Sequence, residues 1–295
     1  MKKARIPLLV ALGITVIGII LGSFFDLSIS SKIASPDSII GLTISAIGPT
    51  IGFLGVAAMG GGFLAFAIKG KYHIALKILF IVLAAACLAV SIIYPSGEYF
   101  GLNGFYGAAP KWVGYLVVLL PECSAMVGGY FLFKDCENKY AWIVFCIVIA
   151  ILLIALALVI PVLKDIMHRP RYRIVSTTEI SFHNWWEPCK DYEKLMAIWN
   201  TPKENFKSYP SGHTAEASIL LVCFTMLPVA DPRFKKAQSP LFYSACCLVV
   251  LVALARILAA AHYLSDVSWG AFIMIALLTI ANEIVMRIKI LQTNE

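Results

Sequence analysis

The sequence predicts an all-α protein, a polytopic membrane bundle of about eight transmembrane helices, and three observations predict it. Hydrophobic residues make up 60% of the 295 positions and charged residues only 14%, against roughly 25% charged in soluble domains. The mean hydropathy is +0.84. The apolar residues gather in eight runs near the length a spanning helix needs, about 20 residues rising 1.5 Å each through about 30 Å of hydrocarbon. A water-soluble fold of this composition would expose more apolar surface than its charges can keep in solution. Helix satisfies every backbone polar group within one segment, which lipid demands. The net charge is +7, but the positions of the basic residues matter more than their sum, and no nucleic-acid partner is expected.

The first run, Ile6–Phe25, follows Lys2, Lys3 and Arg5 as in a signal sequence. It is longer than the roughly 7–15 residues of a cleaved signal core, which makes it an uncleaved first span. The second, Ser38–Ile68, contains Pro49 and Gly60-Gly61-Gly62 and is too long for one straight helix, so a kink or a re-entrant piece is expected within it. Ile78–Tyr94, Trp112–Phe133 and Ala141–Leu163 supply the next three spans, and Thr214–Ala230, Pro240–Ala261 and Val267–Met286 the last three. One long hydrophilic loop, 164–213, separates the fifth from the sixth. No repeat or low-complexity tract divides the chain. Residues 1–140 therefore read as N-terminal transmembrane helices of unassigned role, and 141–295 as a unit that includes the loop. The eight cysteines form no CxxC pair and sit mostly inside apolar runs, as small core residues and not as zinc ligands or a disulfide framework.

Lys and Arg accumulate in cytoplasmic loops. With the N-terminus inside, the inner ends hold Lys2, Lys3, Arg5, Lys69, Lys71, Lys134, Lys139, Arg233, Lys235, Lys236, Arg287 and Lys289, and the short outer loops only Lys32 and Lys111. The long loop then lies outside with eight more basic residues. That excess runs against the bias and points to chemistry.

Three clusters fall on this outer side, because whole spans separate them and the parity of the topology returns the chain to the same face. Lys164-Asp165-Ile166-Met167-His168-Arg169-Pro170-Arg171-Tyr172-Arg173 closes the fifth span; alone, it reads equally well as interfacial anchoring. Tyr209-Pro210-Ser211-Gly212-His213-Thr214 opens the sixth, where backbone N–H groups and the positive helix end suit an anion; alone, Ser211 is equally a helix cap. Arg256, His262 and Asp266 close the seventh. Arg256 lies among apolar neighbours, so it either faces the bundle with a partner or snorkels. On a helix His262 and Asp266 share a face, which lets the carboxylate orient the imidazole, and a turn near Ser265 would change this geometry. Lys164, Arg171 and Arg256 together with two histidines and a helix N-terminus suit a dianionic phosphate and its more highly charged transition state, a phosphoryl-transfer site.

Lys164–x6–Arg171, Pro210-Ser211-Gly212-His213 and Arg256–x5–His262–x3–Asp266 resemble, in order and spacing, the three signature motifs of the type 2 phosphatidic acid phosphatase (PAP2) superfamily, in its integral-membrane lipid phosphatase branch. The resemblance runs from about Leu163 to the C-terminus and places a PAP2-type core in the C-terminal half. Tyr172 stands where a proline follows the first motif's arginine, and Ala255 where a serine precedes the third motif's. Arg169-Pro170 offers a second frame, so Arg169 and Arg171 are alternatives for one phosphate contact.

The resemblance implies that His262 attacks phosphorus, that His213 protonates the leaving oxygen and that Asp266 orients His262. It implies that Lys164, Arg171, Arg256 and the Ser211 and Gly212 amides hold the phosphate. A phosphohistidine intermediate released by water follows, with no metal and no cofactor, cationic side chains standing in for a metal. The implied partner is a lipid phosphate or diphosphate in the bilayer, such as phosphatidate or a polyprenyl diphosphate, met at the extracytoplasmic face of the cell membrane. Two other readings keep the same residues: a lipid phosphotransferase with an acceptor other than water, and a transporter that binds anionic head groups without turnover.

Within the loop, Tyr192, Leu195, Met196 and Trp199 at i, i+3, i+4 and i+7 predict a short amphipathic helix. It reads either as a lid or interfacial helix or, with Phe182, Trp185 and Trp186, as an aromatic anchor. Glu122 is an intramembrane carboxylate, partnered or protonated. His73 and His183 read as ordinary surface residues.

Overall fold

The computed structural model describes residues 2–101 and 111–287, apart from the side chains of 2, 3, 97–101 and 111–115. Lys289 and the side chains of Lys2, Lys3 and Lys111, used above for orientation, lie outside the described residues. Among those described, every regular element is a helix. The long ones are α1 (Lys2–Ile33), α2 (Ile39–Lys69), α3 (Ile74–Gly101) and α4 (Lys111–Phe133), followed by α5 (Ala141–Leu152), which runs through a π-helical stretch into α6 (Ile160–Met167). The short α7 (Tyr172–Val175) and α8 (Tyr192–Trp199) lie in the loop, and α9 (Gly212–Ala217), α10 (Ile219–Ala230), α11 (Gln238–Leu258) and α12 (Leu264–Arg287) complete the bundle. Eight segments are long and apolar enough to cross a membrane, and the chain is a multi-pass membrane protein.

Most helices outrun the apolar stretches that announce them. Helix α1 continues eight residues beyond Phe25 because Asp26 and Ser30 are buried against other helices, not turned to lipid. No re-entrant break interrupts the second span: α2 is one continuous helix with Pro49 inside it, about 46 Å long at 1.5 Å per residue. Its glycines serve contact and not breakage. A Cβ at Gly61 would run into the Met126 carbonyl of α4, and one at Gly129 into the Ala58 carbonyl of α2. Small residues of this kind let helix backbones approach closely where lipid supplies no hydrophobic drive between helices. Helix α2 is thus the centre of the bundle, packed on α3, α4, α9, α10 and α11, while α1 packs on α12. The π-helical turns at Leu153–Val159 precede Pro161, which has no N–H with which to continue the ladder in register.

The amphipathic helix predicted in the loop forms as α8. Tyr192, Leu195 and Met196 pack against Ile174, Ile180, Cys189 and Phe206, and the Tyr192 ring stacks on His168 with centroids 3.5 Å apart. Trp199 is left out of that cluster. All eight cysteines are free thiols; Cys87 and Cys189 are buried as expected, but Cys247 is exposed. Glu122 is fully buried in α4 beside Ser91 of α3. His73 is exposed.

Candidate active site

The third cluster departs from its prediction. Helix α11 ends at Leu258 and not at Ala261, so His262 and Asp266 share no helical face. The chain turns through Ala260 at φ 53°, and the amides of Ala261 and His262 both donate to the Arg256 carbonyl, at 3.1 and 3.2 Å. Arg256, 5% exposed, occupies the last turn of α11, turned into the bundle. His262 follows in the connection, 1% exposed, and Asp266 in the first turn of α12, fully buried.

Ser208 links the two. The His262 Nδ1 lies 2.6 Å from the Ser208 carbonyl, and a carbonyl only accepts, so Nδ1 carries the ring proton and Nε2 presents its lone pair. The Ser208 hydroxyl donates to Asp266 Oδ2 at 2.5 Å, and the Tyr263 amide donates to the same oxygen at 2.9 Å. That oxygen is 3.8 Å from His262 Nδ1, an ion-pair distance beyond hydrogen-bond range. Asp266 therefore reaches the imidazole through Ser208 and through its charge. Burial pushes the His262 pKa well below the ordinary imidazole value, and the positive charges of Arg256 and Arg171 act in the same direction. The Asp266 carboxylate opposes this shift without reversing it.

The first cluster divides its arginines. Arg169, with no exposed surface, donates Nε to the His183 carbonyl at 2.8 Å, one terminal nitrogen to Ser265 Oγ at 2.8 Å and to Asp266 Oδ1 at 2.5 Å, and the other to Asp26 Oδ2 at 2.9 Å. Its guanidinium lies over the Tyr263 ring at 4.3 Å. Four of its five N–H groups are taken and none of its surface is exposed, so of the two frames Arg169 is spent on the scaffold. Arg171 donates to the carbonyl and the carboxylate of Glu204, each at 2.9 Å, and its charge reaches His262. His183, predicted as a plain surface residue, is half-buried and supplies a carbonyl to this network.

The second cluster enters between the other two. The Ser208 amide donates to the Arg169 carbonyl at 3.0 Å, and the Ser211 amide, expected to hold phosphate, is instead spent on the Asp266 carbonyl at 3.0 Å. The Ser211 hydroxyl caps α9 by accepting from the Thr214 amide at 3.4 Å, so the capping alternative is realised and leaves the Gly212 and His213 amides at the helix start. A Cβ at Gly270 of α12 would collide with the Ser211 carbonyl, which is how α12 comes this close to the motif. A Cβ at Gly212 would stand 3.4 Å from Lys164 Nζ, so the lysine ammonium lies over the helix start. His213 follows in the first turn, 7% exposed. Backbone contacts also tie the first cluster to the third, through the Arg173 amide on the Ala260 carbonyl at 3.0 Å.

The structure thus gathers Lys164, Arg171, Ser211, Gly212, Arg256, His262 and Asp266 at one end of the bundle and brings His213 with them on α9. Sequence reasoning missed Ser208 and Asp26. Nothing marks Ser208, whereas Asp26, a carboxylate at the end of an apolar run, carried the signal that intramembrane acids give. The Trp185 indole is tied to the bundle: it donates to Ser23 Oγ at 2.9 Å and packs on Trp269 at 5.0 Å. Set against known proteins, residues 139–289 match the family model described as the PAP2 superfamily. No curated protein and no solved structure matches the chain.

Proposed function

The chain belongs to the PAP2 superfamily, and from that premise we propose that it is an integral-membrane phosphatase removing phosphate from a lipid phosphate or diphosphate through a phosphohistidine on His262. The observation that carries this reading is the Nδ1 contact to the Ser208 carbonyl. It leaves Nε2 unprotonated in a ring that burial keeps neutral, as a nitrogen nucleophile needs.

In the first step Nε2 attacks phosphorus and the bond to the leaving oxygen breaks, while His213 gives that oxygen its proton. In the second, His213 takes a proton from water, the water oxygen bonds to phosphorus, and the P–N bond breaks to release inorganic phosphate. Lys164, Arg171, Arg256 and the helix-start amides counter the growing charge on the equatorial oxygens. The phosphatase unit is residues 141–295. An amphiphilic substrate fits a site at the end of a membrane bundle, because its tail stays in the bilayer while its head group reaches the basic residues. The excess of Lys and Arg at the opposite ends of the spans supports an extracytoplasmic site in the cell membrane.

The test is phosphate release by the purified protein, in EDTA, from phosphatidate, a polyprenyl diphosphate and a soluble ester. Release from a lipid substrate is expected, lost by at least about 10³-fold in His262→Ala and by about 10²- to 10⁴-fold in His213→Ala. Equal release by wild type and His262→Ala overturns the proposal.

A further inference from the structure

Asp26 belongs to α1, more than a hundred residues ahead of the family-matched region, yet it ends in the same buried network as Asp266. We propose that Asp26 is a positioning residue for the phosphoryl-transfer reaction, holding Arg169 and the start of α12 so that Asp266 and Ser208 keep His262 in its attacking orientation. The inference rests on the reading of His262 as the nucleophile.

Asp26 is 2% exposed and receives three donors: the Ser265 amide on Oδ1 at 2.9 Å, and Arg169 at 2.9 Å and the Ser265 hydroxyl on Oδ2. It thus holds the backbone and the side chain of the residue next to Asp266. The opposite edge of the same guanidinium donates to Asp266 Oδ1 at 2.5 Å. The other Asp266 oxygen takes the Ser208 hydroxyl, and the Ser208 carbonyl takes His262 Nδ1–H. From α1 to the imidazole the path is continuous, one side chain to the next, and its members are buried.

The sequence allows this close approach. A Cβ at Gly22, one turn before Asp26, would stand 2.5 Å from the Ser265 nitrogen and 2.8 Å from its Cα. Only glycine lets α1 lie this near the first turn of α12. A further contact of α1, Ser23 with Trp185, lies outside the path.

Charge gives the arrangement its direction. The Asp266 carboxylate, held by Arg169 and by the Ser208 hydroxyl, stands on the Nδ1 side of His262. As Nε2 bonds to phosphorus, the ring takes up positive charge and its Nδ1–H becomes a stronger donor. The carbonyl of Ser208, and the carboxylate behind it, stabilise that ring more than the neutral one. Without Asp26, Arg169 has a single carboxylate to satisfy and the aim of Asp266 is lost. The effect falls on the chemical step and not on substrate binding.

The experiment is steady-state kinetics of the full chain in detergent, wild type against Asp26→Asn, with Ser23→Ala as the packing control on the same helix. Asp26→Asn should lower kcat by about 10- to 100-fold, as small misplacements of a reacting group do, with KM changed by less than about threefold. Ser23→Ala should retain wild-type kcat. Unchanged kcat in Asp26→Asn, a loss that appears in KM instead, or an equal loss in Ser23→Ala would each overturn the inference. If Asp26→Asn does not fold, Ser265→Ala decides: a reduced kcat at constant KM supports the role, and an unchanged kcat removes it. A wild type that releases no phosphate removes the proposed function and this inference with it, whereas an active wild type beside an equally active folded Asp26→Asn removes this inference alone.

Discussion

Arg169 and Arg171 stand two positions apart in one loop, both buried, and meet opposite surroundings. Arg169 is enclosed by two carboxylates that are themselves inaccessible to solvent, with Tyr263 and Phe182 rings over its face at 4.3 and 5.3 Å. Arg171 pairs with Glu204, whose side chain is 57% exposed. A carboxylate in water is screened and readily exchanged for another anion, and one in a dry network is not. The difference teaches that residue type alone does not assign an arginine to a phosphate. What decides is whether its acidic partner is solvated. The rear of the site, Asp26, Arg169, Asp266 and Ser208, is an ionic scaffold, and the front carries Lys164, Arg171 and Arg256, the residues proposed to meet the phosphate.

Exchanging one arginine at a time breaks this comparison most directly. Arg169→Gln leaves two buried carboxylates without their counter-charge and should destabilise the protein by about 3–5 kcal/mol, read as a fall in the unfolding midpoint. If Arg169→Gln unfolds like wild type and instead raises KM, the division into scaffold and substrate side is wrong. Arg171→Gln should do the reverse, raising KM by about tenfold, equivalent to about 1.4 kcal/mol of lost phosphate binding. It should change stability by no more than about 1 kcal/mol, the range of ion pairs with an exposed partner.

The pH dependence sharpens the contrast with a smaller effect. The folded protein holds His262 neutral below the ordinary imidazole pKa, so the unfolded chain binds more protons there. Its contribution to stability is complete above about pH 6.5 and is lost as pH falls from there through the depressed folded value. The acid limb of kcat/KM that reports this residue should likewise lie below the usual imidazole range. Arg171→Gln removes one of the positive charges that oppose protonation and should move that limb upward, by about one pH unit or less. A limb that stays in place would separate Arg171 from His262.

Much of the architecture was legible because lipid imposes a local, one-dimensional rule. Each span announces itself by a run of apolar residues, and every predicted span has a helix near its boundaries. The amphipathic spacing of Tyr192, Leu195 and Met196 likewise located α8. The errors share a cause. The apolar run carried the seventh span on to Ala261, but Ala259 and Ala260 turn the chain, and small apolar residues read the same in a helix and in a buried turn. The glycine triplet suggested a re-entrant piece in α2, because a glycine that loosens a helix and one that admits a neighbouring backbone look alike until the neighbour is known.

The sequence by itself determined an eight-span helical membrane protein and three motif clusters of the PAP2 superfamily, because apolar run length and motif spacing are properties of the chain alone. Tertiary structure decided which arginine faces which partner, which nitrogen of His262 bears the proton, and that a carboxylate in the first helix stands behind the last motif. Those outcomes depend on which buried polar groups meet across helices, and a buried charge finds its partner in space, 143 residues away in the case of Asp26 and Arg169.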